Sequence, residues 1–237
     1  MNRRIDPVTI FLLLAMVFMT MQRRLAGGQD LMDWIMSEVY LLPGIVIGLS
    51  FHEFGHAVVA DKLGDPTAKN EGRVTINPMA HIDLLGFVCL FIAGFGWGRA
   101  VPVNSRNFKN PKRDGILVSL AGITMNLLLA ILFTIVMKIW VSAMGYSTVG
   151  MTGAVQEIIL DAIVINVVLL AFNLIPIPPL DGFMVITDLF DLQKHDWWHV
   201  LYSNGSMILL VMILLDVTDV IMGPVVNGLL TLLLSFV

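Results

Sequence analysis

Two histidines four residues apart with a glutamate between them, His52-Glu53-Phe54-Gly55-His56, are residue types that can hold a zinc ion and activate water. In a helix, positions i and i+4 lie only ~40° apart around the axis, so both imidazoles can face one ion. Glu53 is then placed to take a proton from a water that zinc acidifies. Residues 41–60 around this motif are nearly all apolar or small, which reads as a membrane helix. A carboxylate near the middle of a spanning helix costs about 2.5–3.5 kcal/mol on insertion scales. Zinc binding, roughly 10–16 kcal/mol in small zinc peptides, is large enough to offset that cost. A purely structural alternative makes both histidines core or interfacial residues and pairs Glu53 with Lys62. The apolar setting favours the metal.

The composition says what kind of scaffold must position these groups. With 57% hydrophobic and 14% charged residues and a mean hydropathy of +0.84, the chain is an integral membrane protein. A net charge of −4 without a basic stripe excludes nucleic acid as a partner. Cys89 is the only cysteine, which excludes an internal disulfide and any thiolate-rich metal site. The methionines fall mostly in apolar runs and are packing residues rather than copper ligands.

The expected fold class is an all-α polytopic membrane protein with five to six transmembrane helices. A short re-entrant or β-hairpin segment is expected between the helix carrying His52 and the next spanning helix. Spans are expected over residues 8–21, 41–61, 115–141, 155–176 and 201–236, within a single domain of residues 1–237. The first run resembles a signal peptide until Gln22-Arg23-Arg24 replaces a cleavage site, so it reads as a retained anchor. Its fourteen residues rise only about 21 Å, so Arg3, Arg4, Arg23 and Arg24 must snorkel to the interfaces. Trp34 and Tyr40 read as interfacial anchors before the second helix. The last run contains Asp216, Asp219 and Gly223-Pro224, which makes it either one kinked helix or a tight hairpin of two. Arg73–Ile76 and Ala100–Val103 alternate like short strands.

Residues 84–98 carry a run too short and too glycine-rich for a comfortable span. Lys62, Lys69 and Arg73 precede it, and Arg99, Arg106, Lys109, Lys112 and Arg113 follow it. If the run dips in and returns, all eight cations share one side, opposite the loop at 142–152, which has no lysine or arginine. The positive-inside rule therefore favours a dip, with the 61–114 region cytoplasmic and the metal site nearer that face.

Two histidines under-coordinate a catalytic zinc. The position six residues beyond His56 is Lys62, which excludes the metzincin arrangement. Glu71, Asp83 and His81 are near candidates for a third ligand, and Asp181 is a distant one. Asp181 ends the segment Asn173-Leu174-Ile175-Pro176-Ile177-Pro178-Pro179-Leu180-Asp181-Gly182, whose three prolines break helix geometry and stiffen it to aim a carboxylate at a fixed ion, which favours Asp181 over the three near candidates.

This segment, paired with His52-Glu53-Phe54-Gly55-His56, resembles the site-2 protease family of intramembrane zinc metalloproteases, and in particular its compact prokaryotic members without PDZ or CBS modules. Asn77-Pro78-Met79-Ala80-His81-Ile82-Asp83, Gly94-Phe95-Gly96-Trp97-Gly98 and Val101-Pro102-Val103-Asn104 are also similar to that group. The resemblance implies zinc on His52, His56 and Asp181, and Glu53 as general base. It further implies that Asn173 assists near the scissile carbonyl, and that Gly122 to Asn126 is a small-xxx-Asn motif beside the site. Asn126 on its own reads either as a helix–helix hydrogen bonder or as a substrate contact. Asp161 and Asn166 read as lining the helix interior or a water path, and His81 as a structural residue.

The implied function is hydrolysis of peptide bonds in transmembrane protein substrates, in the cell membrane, with the bilayer as the other partner and homo-oligomerisation open. The alternative is a metal transporter or metal-binding membrane protein that uses the broken helix at Pro176–Pro179 as an ion path. Glu53 discriminates the two, because a transporter needs ligands but no base beside them.

Overall fold

A computed structural model describes residues 7–28 and 30–237. Arg3 and Arg4 lie outside the described residues, as do the side chains of Arg23 and Arg24. The helices are α1 (Pro7–Ala26), α2 (Leu31–Lys62), α3 (Thr67–Asn70), α4 (Leu84–Ala93), α5 (Pro111–Met144), α6 (Gly150–Asn173), α7 (Asp181–Phe190), α8 (Asp196–Leu214) and α9 (Val217–Leu234). Five of these, α2, α5, α6, α8 and α9, are long and apolar enough to cross a membrane, and α1 has a shorter apolar stretch at Ile10–Thr20. The architecture is all-α.

The centre is a three-helix unit in which α5 lies antiparallel to α2 and α6 lies parallel to it. Small residues let these helices approach closely, as expected where apolar lipid supplies no net drive for association. A Cβ at Gly44 would stand 2.8 Å from the Cα of Ala162, and one at Gly55 would stand 2.9 Å from the Ala121 carbonyl oxygen. Each glycine therefore holds two backbones at a distance that any side chain would widen. Farther along, Ala130, Met137, Ile159, Ile163 and Val167 form the apolar core between α5 and α6, closed by Leu233 of α9.

Three elements differ from the sequence expectation. Helix α2 begins at Leu31, well before residue 41, so Trp34 and Tyr40 lie inside it. The Trp34 indole donates to Glu38 one turn on, at 3.1 Å. The last apolar run is two helices, broken at Leu215-Asp216, where Asp216 takes a left-handed conformation with φ 56°. Pro224 rides inside α9 instead of marking the break. Contacts along α8 and α9 advance in one direction. The Trp198 indole donates to Thr187, Leu209 packs on Ile175 and Leu180, and Lys138 donates to the Phe236 carbonyl. The pair is a bent continuation, not a hairpin.

The third difference is that the β-hairpin at Arg73–Ile76 and Ala100–Val103 does not form. Among the described residues there is only one isolated antiparallel bridge, Ile82 to Gly98. The reason lies in where the backbone groups find partners. The Val101 amide donates to the Glu53 carboxylate, the Asn104 amide to Asp65 and the Arg73 guanidinium to the Arg99 carbonyl. Side chains take the places that a partner strand would fill. Helix α4 runs between the two sides of the Ile82–Gly98 bridge. A Cβ on Gly86 would lie 2.1 Å from the Trp97 carbonyl oxygen, so the returning chain presses directly on the helix.

Asp65 ties this cover to the end of α2. Its carboxylate accepts from the Asn104 amide at 2.7 Å, the Asn107 side chain at 2.7 Å, the Thr67 amide at 3.1 Å and the Thr67 hydroxyl. Burial alone would raise this carboxyl, but the hydrogen bonds from Asn104, Thr67 and Asn107 outweigh it and hold the group below the usual carboxylate range. The folded pKa is therefore depressed. Its stabilising contribution is fully present above the unfolded value of about 3.9 and disappears as pH falls through the lower folded value. Asp65→Asn, which turns an acceptor into a clashing donor, is expected to destabilise the detergent-solubilised protein by about 2 kcal/mol at pH 7. Thermal melts followed by circular dichroism should show the difference between variant and parent shrinking below about pH 4; a gap unchanged down to pH 2 would contradict this account.

Candidate metal centre

His52 and His56 project from the same face of α2, one turn apart, and both are buried. Asp181 is the first residue of α7, reached through Pro176, Pro178 and Pro179, which cannot continue α6 as a helix. Gly182 follows because the turn has no room for a side chain. A Cβ there would stand 2.4 Å from the Leu174 carbonyl oxygen. That contact presses the start of α7 back onto the end of α6 and directs Asp181 toward α2.

Three ligand atoms meet as a result. His52 Nε2 and His56 Nε2 are 3.1 Å apart, and each is 3.3 Å from Asp181 Oδ2. A tetrahedral ion with bonds of about 2.0–2.1 Å sets its ligand atoms about 3.3–3.4 Å apart, so the triangle fits three corners of a zinc-sized tetrahedron. Among the described residues, this is the group of histidine and carboxylate side chains that could hold a metal.

The protons argue the same way. His56 Nδ1 is 2.7 Å from the Val118 carbonyl oxygen, which can only accept, so Nδ1 carries a proton and the neutral ring presents a lone pair at Nε2. His52 Nδ1 sits 2.8 Å from Asn126 Oδ1, which asks for the same tautomer. Asp181 Oδ2 is buried without a hydrogen-bond partner. With both rings neutral, three acceptors face one another, an arrangement that is repulsive unless a metal ion or a proton lies among them. The partners on Nδ1 are also those expected behind a metal-bound histidine, where they fix the ring and raise its basicity.

Gly122 of α5 closes the back of this group. A Cβ there would lie 2.4 Å from His56 Nε2 and 2.6 Å from His52 Cε1, so only glycine leaves both rings in place. Glu53 stands outside the triangle. Its Oε2 accepts from the Val101 amide at 2.8 Å, and a Cβ at Gly98 would come 4.0 Å from its Oε1. The carboxylate is half-buried under the chain that returns from α4. A small apolar cleft of about 60 Å³ lies between α2, α4 and α6, with Leu49, Phe87, Leu169 and Gly98 in its wall, and Gly98 is the lining residue nearest Glu53.

The other sequence candidates lie elsewhere. Glu71 is exposed. Asp83 caps α4 through the Gly86 amide at 2.8 Å. His81 is fully buried, with Nε2 on the Thr75 carbonyl and its own carbonyl accepting from Arg99. None of the three joins the histidines. Asn173 donates to Leu169 in the last turn of its own helix, at 2.9 Å, and Asn126 stands behind His52 rather than on the open side. The Val118 carbonyl and the Val101 amide were missed, because a backbone group carries no mark in a sequence.

A sequence profile of peptidase family M50 matches residues 40–215. The chain is 38% identical over 190 residues to the "Putative zinc metalloprotease YwhC" of Bacillus subtilis, covering 80% of this chain and 86% of that one. Two further proteins of the same description are similar. Rip2 of Mycolicibacterium smegmatis is 29% identical over 202 residues, covering 77% of this chain and 71% of that one. MJ0611 of Methanocaldococcus jannaschii is 31% identical over 152 residues, covering 62% and 70%. No solved structure matches the chain.

Two substitutions test the geometry of the triangle. Asp181→Ala should lower metal content from about one ion per chain to well under half, since only two ligands remain. Gly122→Ala should do the same without removing a ligand, by displacing both rings. Elemental analysis of purified protein measures both, and full occupancy in Asp181→Ala would refute that aspartate as a ligand.

Proposed function

The chain belongs to peptidase family M50, and on that footing we propose that it is a membrane-embedded zinc endopeptidase that hydrolyses peptide bonds in transmembrane segments of other membrane proteins. The observation that carries this reading is the triangle of His52, His56 and Asp181 ligand atoms at zinc-like spacing, with a carboxylate at its edge. The same carboxylate disfavours metal transport. Glu53 is not one of the three converging atoms, and a backbone amide holds it in place, which is what a base requires and an ion path does not.

His52, His56 and Asp181 hold the zinc in this reading. The bound ion supplies Lewis acidity toward a peptide carbonyl and lowers the pKa of a water toward about 7. Glu53 takes a proton from the attacking water and returns it to the leaving nitrogen. The Val101 amide keeps one carboxylate oxygen occupied and so fixes the direction of the other. Asn173 serves as a donor to the carbonyl of the scissile bond once its own-helix contact opens, and the apolar cleft between α2, α4 and α6 takes a substrate side chain.

A helical amide is shielded by its own hydrogen bond, so the substrate must become extended at the cut. The path for that strand runs under the cover formed by residues 84–101. This cover dips into the membrane and returns, with the eight lysines and arginines of its flanks on the cytoplasmic side. Residues 1–237 act as one protease domain, with the catalytic group nearer the cytoplasmic face of the cell membrane.

Glu53→Gln is the direct test. It is expected to retain zinc while cleavage of a co-expressed library of single-pass transmembrane reporters falls by about 10²–10⁴-fold, the usual worth of a positioned acid–base group. Undiminished cleavage by that variant would sink the protease reading, and lost zinc would make Glu53 a ligand instead.

A further inference from the structure

His52 offers Nε2 to the ligand triangle only while its proton sits on Nδ1. The group that decides this is a carboxamide, not a carbonyl. With its oxygen toward the ring, Asn126 asks for Nδ1–H. Turned by half a rotation, its amide would face a bare Nδ1 and send the proton to Nε2, onto the side where a metal would bind. Something must therefore hold the Asn126 amide in one sense. It donates to the Gly48 carbonyl at 3.2 Å and to Asn166 Oδ1 at 3.0 Å. Asn166 is held in turn, since its own amide donates to the Ala162 carbonyl at 2.8 Å. Both asparagines have 0% exposure. They lie where α2, α5 and α6 meet, away from any water that could replace a lost partner. A Cβ at Gly48 would stand 3.1 Å from Asn166 Oδ1, so the close approach of α2 to α6 is part of the same arrangement.

We propose that Asn126 and Asn166 are a pair of positioning residues that hold the His52 proton on Nδ1 and so keep Nε2 available as a metal ligand. The directional chain runs from the Ala162 carbonyl through Asn166 and Asn126 to His52. Reversal of either amide sets two donors or two acceptors against each other at about 3 Å in a dry interior. This inference rests on the reading of His52 as a zinc ligand, and it moves Asn126 from the substrate side of the site to the back of the metal.

Aspartate tests the pair because it keeps the shape of asparagine but only accepts. In Asn126→Asp, the carboxylate still accepts from His52 Nδ1 and keeps the proton there, so zinc affinity stays within about threefold of the parent. Asn126→Leu has no acceptor and loses about 10–100-fold. Asn166→Asp still accepts from Asn126 and costs less than about tenfold. In the double variant Asn126→Asp/Asn166→Asp, two carboxylates face each other and share one proton, whose direction nothing in the chain then fixes. Its affinity falls at least about tenfold below what the two single changes predict together. Packing alone would not produce this pattern, because every aspartate variant is isosteric.

Zinc affinity is read by competition with a chromophoric chelator on detergent-solubilised full-length protein, and the visible absorption of the cobalt(II)-loaded protein gives a second measure of the ligand field. His52→Ala runs beside the series. If His52→Ala binds zinc like the parent, the metal reading itself fails. If His52→Ala loses zinc while Asn126→Leu does not, only the orienting pair is overturned. Should Asn126→Leu fail to fold, the aspartate variants decide, and additive losses in the double variant overturn the proposal.

Discussion

Three ligand atoms that repel one another while both rings are neutral hold the central position in this protein. His52 Nε2, His56 Nε2 and Asp181 Oδ2 lie 3.1–3.3 Å apart, and both histidines find their Nδ1 partners away from the centre. Burying such a group without a cation is costly. Much of the surrounding structure can be understood as what it takes to assemble it and to prevent the side chains from relaxing apart. Val118 and Asn126 hold the rings from behind, Gly122 leaves them room, and the prolines before Asp181 bring a carboxylate from a distant helix.

That constraint explains why the central helices pack through glycine. A ring held by a carbonyl on α5 is correctly aimed only if α2 and α5 lie at one fixed separation. Gly55 against Ala121 sets that separation on one side, and Gly44 against Ala162 sets it between α2 and α6. Packed helices at such distances cannot slide without clash, so the backbone supplies the rigidity that a ligand triangle needs. The segment over Glu53 is built differently. It has no ladder of its own and is tied down by single contacts, from the Asp65 and Arg73 side chains and from the His81 carbonyl, which accepts from the Arg99 amide. A cover of this kind can open locally without unfolding the helices beneath it.

Most of the fold could be read from hydrophobic runs, because a bilayer demands long apolar helices and little else. What failed to show were features decided by partners far along the chain. Residues 73–76 and 100–103 have the alternation of strands, yet their polar backbone groups bond to side chains. A different case is local: Trp34 and Tyr40 read as anchors ahead of the second helix, yet both lie inside it, and Trp34 bonds Glu38 one turn on. Asp216, Asp219 and Gly223-Pro224 all mark the last run as interrupted, and the chain bends at the first of them while Pro224 rides inside α9.

At the site the division is sharper. Residue types and spacing by themselves determined that His52 and His56 share a face with Glu53 beside them, since helical periodicity allows nothing else. A zinc site on those histidines would need a third ligand, and the proline-stiffened approach favoured Asp181 without excluding Glu71, Asp83 or His81. Only the tertiary structure decided among these, because the distance from Asp181 to the histidines depends on how the chain turns back after Pro179, not on anything local. It alone supplied the Nδ1 partners from which the tautomer of each ring is assigned. A tautomer is set by the partner on the other nitrogen, and here those partners are a carbonyl and an amide brought by helices far away in sequence.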